Sequence, residues 1–135
     1  NTSNPDGTDN SKVVRYAEVL LILAEAYHMN GSDQPALTVL NEVAQARDPL
    51  FSGYTATGDS LESAILSERR KELAFEGFRF WDFIRLNLDI VRENNSQEYP
   101  GQTPLVISAS DTRRQMPIPE VETLANPNIS QNAGY

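Results

Sequence analysis

The densest apolar pattern near the amino terminus recurs at helical spacing. Five large side chains lie three or four positions apart, the period at which residues share one face of an α-helix: Tyr16, Val19, Leu20, Leu23 and Tyr27. Further apolar residues fill much of the remaining circumference, among them Leu21, Ile22, Ala24 and Ala26. The pattern predicts a helix over 12–30 that is buried on several sides. Its neighbours are expected from the far end of the chain or from sequence outside it.

A second apolar stripe follows after a short break and predicts a second helix. Gly31 ends the first helix, Ser32 or Asp33 caps the next one, and Pro35 occupies its first turn, where a missing N–H costs little. The stripe ends before Asp48, which precedes a proline, and it consists of Ala36, Leu37, Leu40, Val43 and Ala44. The two helices predict a helical hairpin over 12–48, and their register matches a tetratricopeptide repeat.

The stretch 68–85 combines charge and aromatic residues more densely than any other part of the chain. Its pattern predicts a third helix over 59–75 and a fourth over 79–88, a second helical pair with a sharp turn at Gly77. Helical spacing groups its charges into two columns of mixed sign: Arg69, Glu72 and Glu76 on one helix, and Arg79, Asp82 and Arg85 on the other. Because buried charges persist only when paired, we expect a structural ion-pair cluster, with Trp81 in the core beside it.

Two carboxyl groups in this stretch raise the alternative of a glycosidase. Glu72 and Glu76 are one helical turn apart, and glycoside hydrolysis uses a pair of carboxyl groups. A general acid needs a raised pKa, whereas these carboxylates are flanked by several cations that favour the ionised form. The sequence therefore predicts a structural role for the pair and no catalytic residues.

Beyond the helices the chain becomes irregular. Residues 1–11 are predicted to form a turn-rich lead-in loop, and residues 89–135 an irregular, proline-bearing tail. A strand over 105–108 paired with 115–118 would allow one short β-hairpin, and we expect Ile118 and Tyr135 to anchor the tail on the helices. The fold class predicted for 1–135 is a single, all-α domain of tetratricopeptide-like hairpins.

Composition excludes several functions. The formal net charge of −8 argues against nucleic acid, whose phosphates need a basic surface, and against adsorption to an anionic membrane. There is no cysteine and a single histidine, His28, so a zinc site is not expected. No metal and no cofactor is predicted.

Three blocks of residues resemble the carbohydrate-binding outer-membrane lipoproteins of the SusD/RagB type. The first is RYAEVLL at 15–21 with AEA at 24–26, and the second is the ERRxELxxEGxRxxDxxR pattern at 68–85. The third is PIP at 117–119 followed by Glu122, Asn126-Pro127 and the ending QNAGY at 131–135. The chain departs from the family pattern at Phe83, where leucine is usual, and at Ala133, where proline is usual. Ala44 and Ala46 stand where two arginines are common, with Arg47 displaced by one position.

The resemblance implies a function as well as a fold. Proteins of this type are mostly helical, are anchored by a lipid on the outer face of the Gram-negative outer membrane, and are not enzymes. They lie on a SusC-like TonB-dependent porin and capture glycans or other nutrients for import. This chain corresponds to the last third of such a protein, so its signal peptide and lipid anchor are expected outside the chain.

The resemblance gives no sugar-contacting residues that can be placed in this chain. Glycan stacking needs an aromatic face with polar neighbours, and two tyrosines on predicted loops, Tyr54 and Tyr99, are the candidates. The alternative function is a helical-repeat module that binds a protein or peptide.

Overall fold

The structure of the protein is a computed structural model that describes residues 13–92 and 105–135. These residues form a predominantly helical fold with one small antiparallel strand pair, which confirms the predicted fold class. The helices are α1 (Tyr16–Met29), α2 (Asp33–Arg47), α3 (Asp59–Glu72), α4 (Phe78–Arg85) and α5 (Glu120–Ala125), with a 3-10 turn at Thr112–Arg114. The strands are β1 (Ile90–Arg92) and β2 (Leu105–Ile107). In the part of the chain that the structure describes, no helix is long and apolar enough to span a bilayer.

The chain divides into two compact units, residues 1–76 and 77–135. The prediction of one domain over 1–135 stays a prediction. The first unit holds the α1–α2 hairpin, with α3 packed against both of its helices. Ala24 of α1 and Ala36 of α2 are both fully buried in this unit. The core they share is formed by Leu20, Leu21, Ala24, Ala36, Leu40, Val43, Leu61 and Ile65.

The opposite face of α1 is exposed, although the sequence predicts burial on several sides. Six large apolar side chains lie on it, from Met29 at 77 % exposed to Tyr27 at 36 %: Tyr16, Val19, Ile22, Leu23, Tyr27 and Met29. Within this chain α2 and α3 cover only one side of the helix. The neighbours expected from sequence outside the chain stay a prediction.

The loop between α2 and α3 is fixed by an amide side chain. Asn41 accepts the backbone N–H of Tyr54 through Oδ1 (2.6 Å) and donates to the Tyr54 carbonyl through Nδ2 (3.1 Å). Next to this contact, Gly53 has a φ of +96°, and a Cβ there would lie 3.1 Å from Oδ1 of Asn41 and 3.2 Å from Nε2 of Gln45. Glycine is therefore favoured at this position by both the backbone conformation and the limited space.

We expect Gly53→Ala to lower the free energy of unfolding by about 2 kcal/mol, because it adds a steric clash to the cost of a left-handed backbone. The matched control is Gly31→Ala, where φ is +72° but no atom lies within 4 Å of the added Cβ. The free energy of unfolding of Gly31→Ala should decrease by only about 1 kcal/mol, the cost of placing alanine in a left-handed backbone conformation. Urea unfolding of both variants measures the difference, and equal losses would contradict a steric contribution at Gly53.

The second unit contains the strand pair, with a partner that differs from the prediction. β2 pairs antiparallel with β1, Ile90 opposite Ile107 and Val91 opposite Val106. The predicted partner 115–118 is instead held by side chains of the last five residues. Gln131 accepts the N–H of Ile118 (2.7 Å) and donates to its carbonyl (2.8 Å). The prolines at 117 and 119 lack an N–H to donate to a strand ladder, so a glutamine amide serves in place of a strand.

The same ending holds the tail at two further points. Asn132 donates to the Met116 carbonyl (2.6 Å), and the Tyr135 hydroxyl donates to the Gln115 carbonyl (2.9 Å). Ile118 and Tyr135 thus take part in anchoring within the tail itself. Their predicted contact with the helices stays a prediction.

The bounds of three helices and the position of one aromatic side chain also differ from expectation. α1 begins at Tyr16 rather than at residue 12, α3 ends at Glu72 rather than at 75, and α4 covers 78–85 rather than 79–88. Trp81 was expected in the core but is 61 % exposed, with its ring edge-on to Phe80 at 5.3 Å. On this short helix the side chain that is buried is that of Asp82.

Candidate functional site

The carboxyl end of α3 carries an ion-pair network centred on Glu72. Arg47, the last residue of α2, donates to both carboxylate oxygens of Glu72, from Nε at 2.8 Å and from Nη2 at 2.7 Å. Arg15, just before α1, donates from Nη1 to the same carboxylate at 2.7 Å and from Nη2 to the Glu72 carbonyl at 2.7 Å. The second contact satisfies a carbonyl left unpaired at the helix end. The network thus joins the ends of three helices.

Glu76 extends this network past the end of α3. Its carboxylate accepts from Arg15 Nη2 at 2.6 Å and from Arg15 Nε at 3.3 Å. Hydrogen bonds to Glu72 and Glu76 raise the pKa of Arg15, and those to Glu72 raise the pKa of Arg47. Arg15 therefore connects two carboxylates whose mutual repulsion it offsets.

The same contacts decide what Glu72 can do chemically. The Arg47 guanidinium holds the pKa of Glu72 below its ordinary value, with Arg15 adding to the effect and burial opposing it. Only 6 % of the side-chain surface is exposed. A carboxylate kept ionised in this way has no proton to give to a leaving group. The geometry therefore suits a structural anion and not a general acid.

A second polar group lies one turn earlier on α3 and includes the predicted tyrosine. The Tyr54 hydroxyl donates to Glu68 Oε2 at 2.8 Å, and Lys71 pairs with the same carboxylate oxygen. Lys71 also donates to the Tyr54 hydroxyl at 3.1 Å, and the hydrogen bond to Glu68 raises the pKa of Lys71. The Tyr54 ring packs edge-on against Phe51 at 4.9 Å. The Tyr54 ring thus packs against Phe51 while its hydroxyl contacts Glu68 and Lys71, and its role in glycan stacking stays a prediction.

Between these two groups the surface is concave. A cleft of about 410 Å³ lies between the carboxyl-terminal halves of α2 and α3. Because its two cations, Arg47 and Lys71, define its polar walls, we name it the Arg47–Lys71 cleft. It is lined by Ala44, Arg47, Asp48, Phe51, Glu68, Lys71 and Glu72. A second cleft of about 300 Å³ lies between α1 and α2 and also includes Arg47 and Tyr16.

The opposite end of the three helices has its own polar contact. Asp33, the first residue of α2, accepts the N–H of Gly58 at the start of α3 (2.8 Å), and its other oxygen lies 2.7 Å from His28 Nδ1. The Gly58 N–H, and then the His28 ring, hold the pKa of Asp33 below its ordinary value. The apolar core of the first unit therefore has a polar contact at each end.

The six residues of the predicted ion-pair cluster are divided between the two units. Arg69, Glu72 and Glu76 belong to the first unit, and Arg69 is buried on α3. In the second unit, Arg85 Nε donates to Asp82 at 2.9 Å, and the Arg79 guanidinium lies over the Phe83 ring at 4.2 Å. Pairing between the two columns stays a prediction. Tyr99 lies outside the described residues.

Helical spacing did not predict that Arg15 and Arg47 pair with Glu72. Arg15 lies 57 positions from it and Arg47 lies 25 positions from it. One signal was present: both arginines fall in or beside segments that resemble the family pattern. Helical periodicity could not find them, because it identifies neighbours only within one helix.

Comparison with known proteins gives consistent matches. The model of the SusD family matches residues 1–135. The chain is 34 % identical over 129 residues to SusD-like protein P38 of Formosa agariphila, and 31 % identical over 135 residues to SusD-like protein P2 of the same organism. Each alignment covers 90 % of this chain, and they cover 24 % and 25 % of the relatives.

A solved structure supports the same assignment. The crystal structure of a SusD superfamily protein from Bacteroides fragilis superposes with a TM-score of 0.73 at 31 % identity. The match covers 87 % of this chain and 27 % of that one. The chain spans about a quarter of the length of the relatives it matches. With its helices, its charged–aromatic stretch and its tail all within the matched region, the chain belongs to the SusD family.

Proposed function

We propose that this chain is part of a glycan- or nutrient-binding lipoprotein on the outer face of the outer membrane. In this proposal the protein delivers its ligand to a SusC-like TonB-dependent transporter and carries out no chemical reaction on it. The observation that carries the proposal is the match of the SusD family model to residues 1–135.

The geometry of the first unit supports binding without turnover. The carboxyl pair that a glycosidase would need, Glu72 and Glu76, is tied to Arg15, and Glu72 also to Arg47. In this arrangement both acids neutralise cations that hold helix ends together. We propose that this region mainly scaffolds the binding protein.

The experiment uses the purified full-length gene product. We expect a soluble polysaccharide from a panel of plant and algal glycans to retard it in affinity electrophoresis, with no release of shorter sugars on prolonged incubation. Expressed in its native host, the protein should co-purify with a TonB-dependent transporter. Hydrolysis of a retained polysaccharide would contradict the absence of catalysis. The absence of both a retained glycan and a co-purifying transporter would contradict the binding proposal.

A second candidate function is a helical-repeat module for protein–protein interaction, and one observation favours it. The outer face of α1 exposes six large apolar side chains, including Ile22 at 51 % and Val19 at 47 %. Such a face suits a protein surface better than a sugar. Co-purification with a protein partner, lost on Val19→Asp without retardation by any glycan, would favour this alternative.

A further inference from the structure

The Arg47–Lys71 cleft has hydrogen-bond donors left over after its ion pairs are formed. Arg47 uses Nε and Nη2 on Glu72, so among the described residues its Nη1 group has no partner. Lys71 has three donors and contacts Glu68 and the Tyr54 hydroxyl, which leaves one. Both side chains are more than half exposed, at 59 % and 57 %. A ligand in the cleft would therefore meet two donors already held in place.

The supporting contacts keep these donors in position. Glu72 fixes the plane of the Arg47 guanidinium through two parallel hydrogen bonds, the geometry that gives arginine pairs their specificity. Glu68 and Tyr54 hold the Lys71 ammonium from the other side. Little side-chain freedom is then lost when a ligand binds, which favours affinity.

The charges around the cleft favour an uncharged ligand over an anion. Arg47 and Lys71 are matched by Glu72 and Glu68, and Asp48 adds a further negative charge to the lining. The cleft also lies at the carboxyl ends of α2 and α3, where the helix dipoles place partial negative charge. A carboxylate or sulfate ligand would therefore gain little electrostatic binding energy in the cleft. Hydroxyl groups, which accept from the two cations and donate to Asp48, match the arrangement.

An apolar wall completes the cleft. Phe51, half-buried and oriented by its edge contact with Tyr54, faces the cleft together with Ala44. Sugar rings present C–H groups on one face and hydroxyls around the rim, so an aromatic wall beside fixed donors is the combination that binds them. At about 410 Å³, the cleft lies near the lower end of the range for small-molecule sites, which suits a short segment of a glycan.

We propose that the Arg47–Lys71 cleft is a subsite for an uncharged sugar unit of the glycan, bound through vicinal hydroxyls. Arg47 and Lys71 donate, Asp48 accepts and Phe51 forms the apolar wall, while Tyr54 acts as a positioning residue behind Lys71. The inference rests on the proposed function, because it names a place and a sugar class for the binding proposed there.

The test measures binding of the full-length gene product to immobilised oligosaccharides by biolayer interferometry. The probes are neutral oligomers of glucose, mannose, galactose and xylose, with oligogalacturonate as the acidic counterpart. The variants are Lys71→Met, which removes the donor but keeps the stem, and Phe51→Leu, which removes the aromatic wall but keeps an apolar side chain. Arg70→Met is the matched control, an exposed cation on α3 that does not line the cleft.

We expect each cleft variant to weaken binding of the best neutral oligosaccharide about tenfold. Lys71→Met loses one charge-assisted hydrogen bond, and Phe51→Leu loses the contact between the sugar and the aromatic ring. The control should bind like the unmodified protein, and oligogalacturonate should bind more weakly than the neutral probes. Circular dichroism melting separates loss of binding from loss of fold, and the second cleft variant decides if the first does not fold.

Other outcomes would overturn the inference. Neutral binding that both cleft variants leave unchanged would remove the subsite but retain the proposed function. Preferred binding of oligogalacturonate would overturn the assignment to uncharged sugars. No binding to any probe, together with no retardation by any polysaccharide and no co-purifying transporter, would remove both the subsite and the proposed function.

Discussion

Replacing Leu40 by alanine should lower the free energy of unfolding by about 3–4 kcal/mol, the largest effect expected in this protein. Leu40 is fully buried on α2, in the core that α1 and α3 also contribute to. Alanine removes the buried side-chain atoms and leaves a cavity that the surrounding helices fill only in part. Urea unfolding of the purified protein, followed by circular dichroism, measures the loss.

The chain provides a matched control for this substitution. Leu50 is 95 % exposed, so Leu50→Ala makes the same chemical change without a cavity and should alter the free energy of unfolding by less than about 0.5 kcal/mol. Similar losses at Leu40 and Leu50 would mean that the helices do not pack as described.

The second large effect is expected from Glu72→Gln, which keeps the shape of the side chain and removes its charge. We expect a loss of about 2 kcal/mol, because the variant leaves the Arg15 and Arg47 guanidiniums without their shared anion. The value lies between that of a broken buried pair and that of a surface pair. Glu72 is buried, but 59 % of the Arg47 side chain is exposed. Thermal unfolding measures the loss, with Glu62→Gln on the exposed side of α3 as the control.

The pH dependence gives an independent check of the same network. The pKa of Glu72 is lower in the folded protein than its ordinary value of 4.5, so the unfolded state binds a proton first as the pH falls. The stabilisation that ionised Glu72 contributes is complete above about pH 4.5, and it decreases as the pH falls through the pKa of Glu72 in the folded protein. The difference between the unmodified protein and Glu72→Gln should therefore shrink in acid. A difference that stays constant between pH 7 and pH 3 would show that the charge of Glu72 does not contribute.

Local chemistry accounts for the parts of the fold that were predicted well. Gly31 and Gly77 both adopt positive φ, 72° and 83°, and each ends or begins a helix as expected from its freedom in that region. The Asp33–Arg47 helix was predicted closely because its proline, its stripe and the following Asp48-Pro49 all agree. Boundaries without such signals, as at the start of α1, were displaced by several residues.

The predicted pairing of the strand at 105–108 with 115–118 was wrong for a different reason. The pattern at 105–107 predicts a strand but does not identify the segment that pairs with it. The prolines on either side of Ile118 prevent a regular ladder there. The Gln131 side chain hydrogen-bonds to Ile118 instead, and β1 pairs with the strand.

The sequence by itself determined the helices, the hairpin turn at Gly31 and the family, because each depends on residues close together along the chain or on motifs in a set order. Only the tertiary structure decided that Glu72 belongs to Arg15 and Arg47, that Tyr54 supports Lys71, and that one face of α1 is exposed. Several arginines and acids could have paired equally well by spacing alone. Which of them meet depends on how three helix ends come together, and that is set by the packing of the apolar core between them.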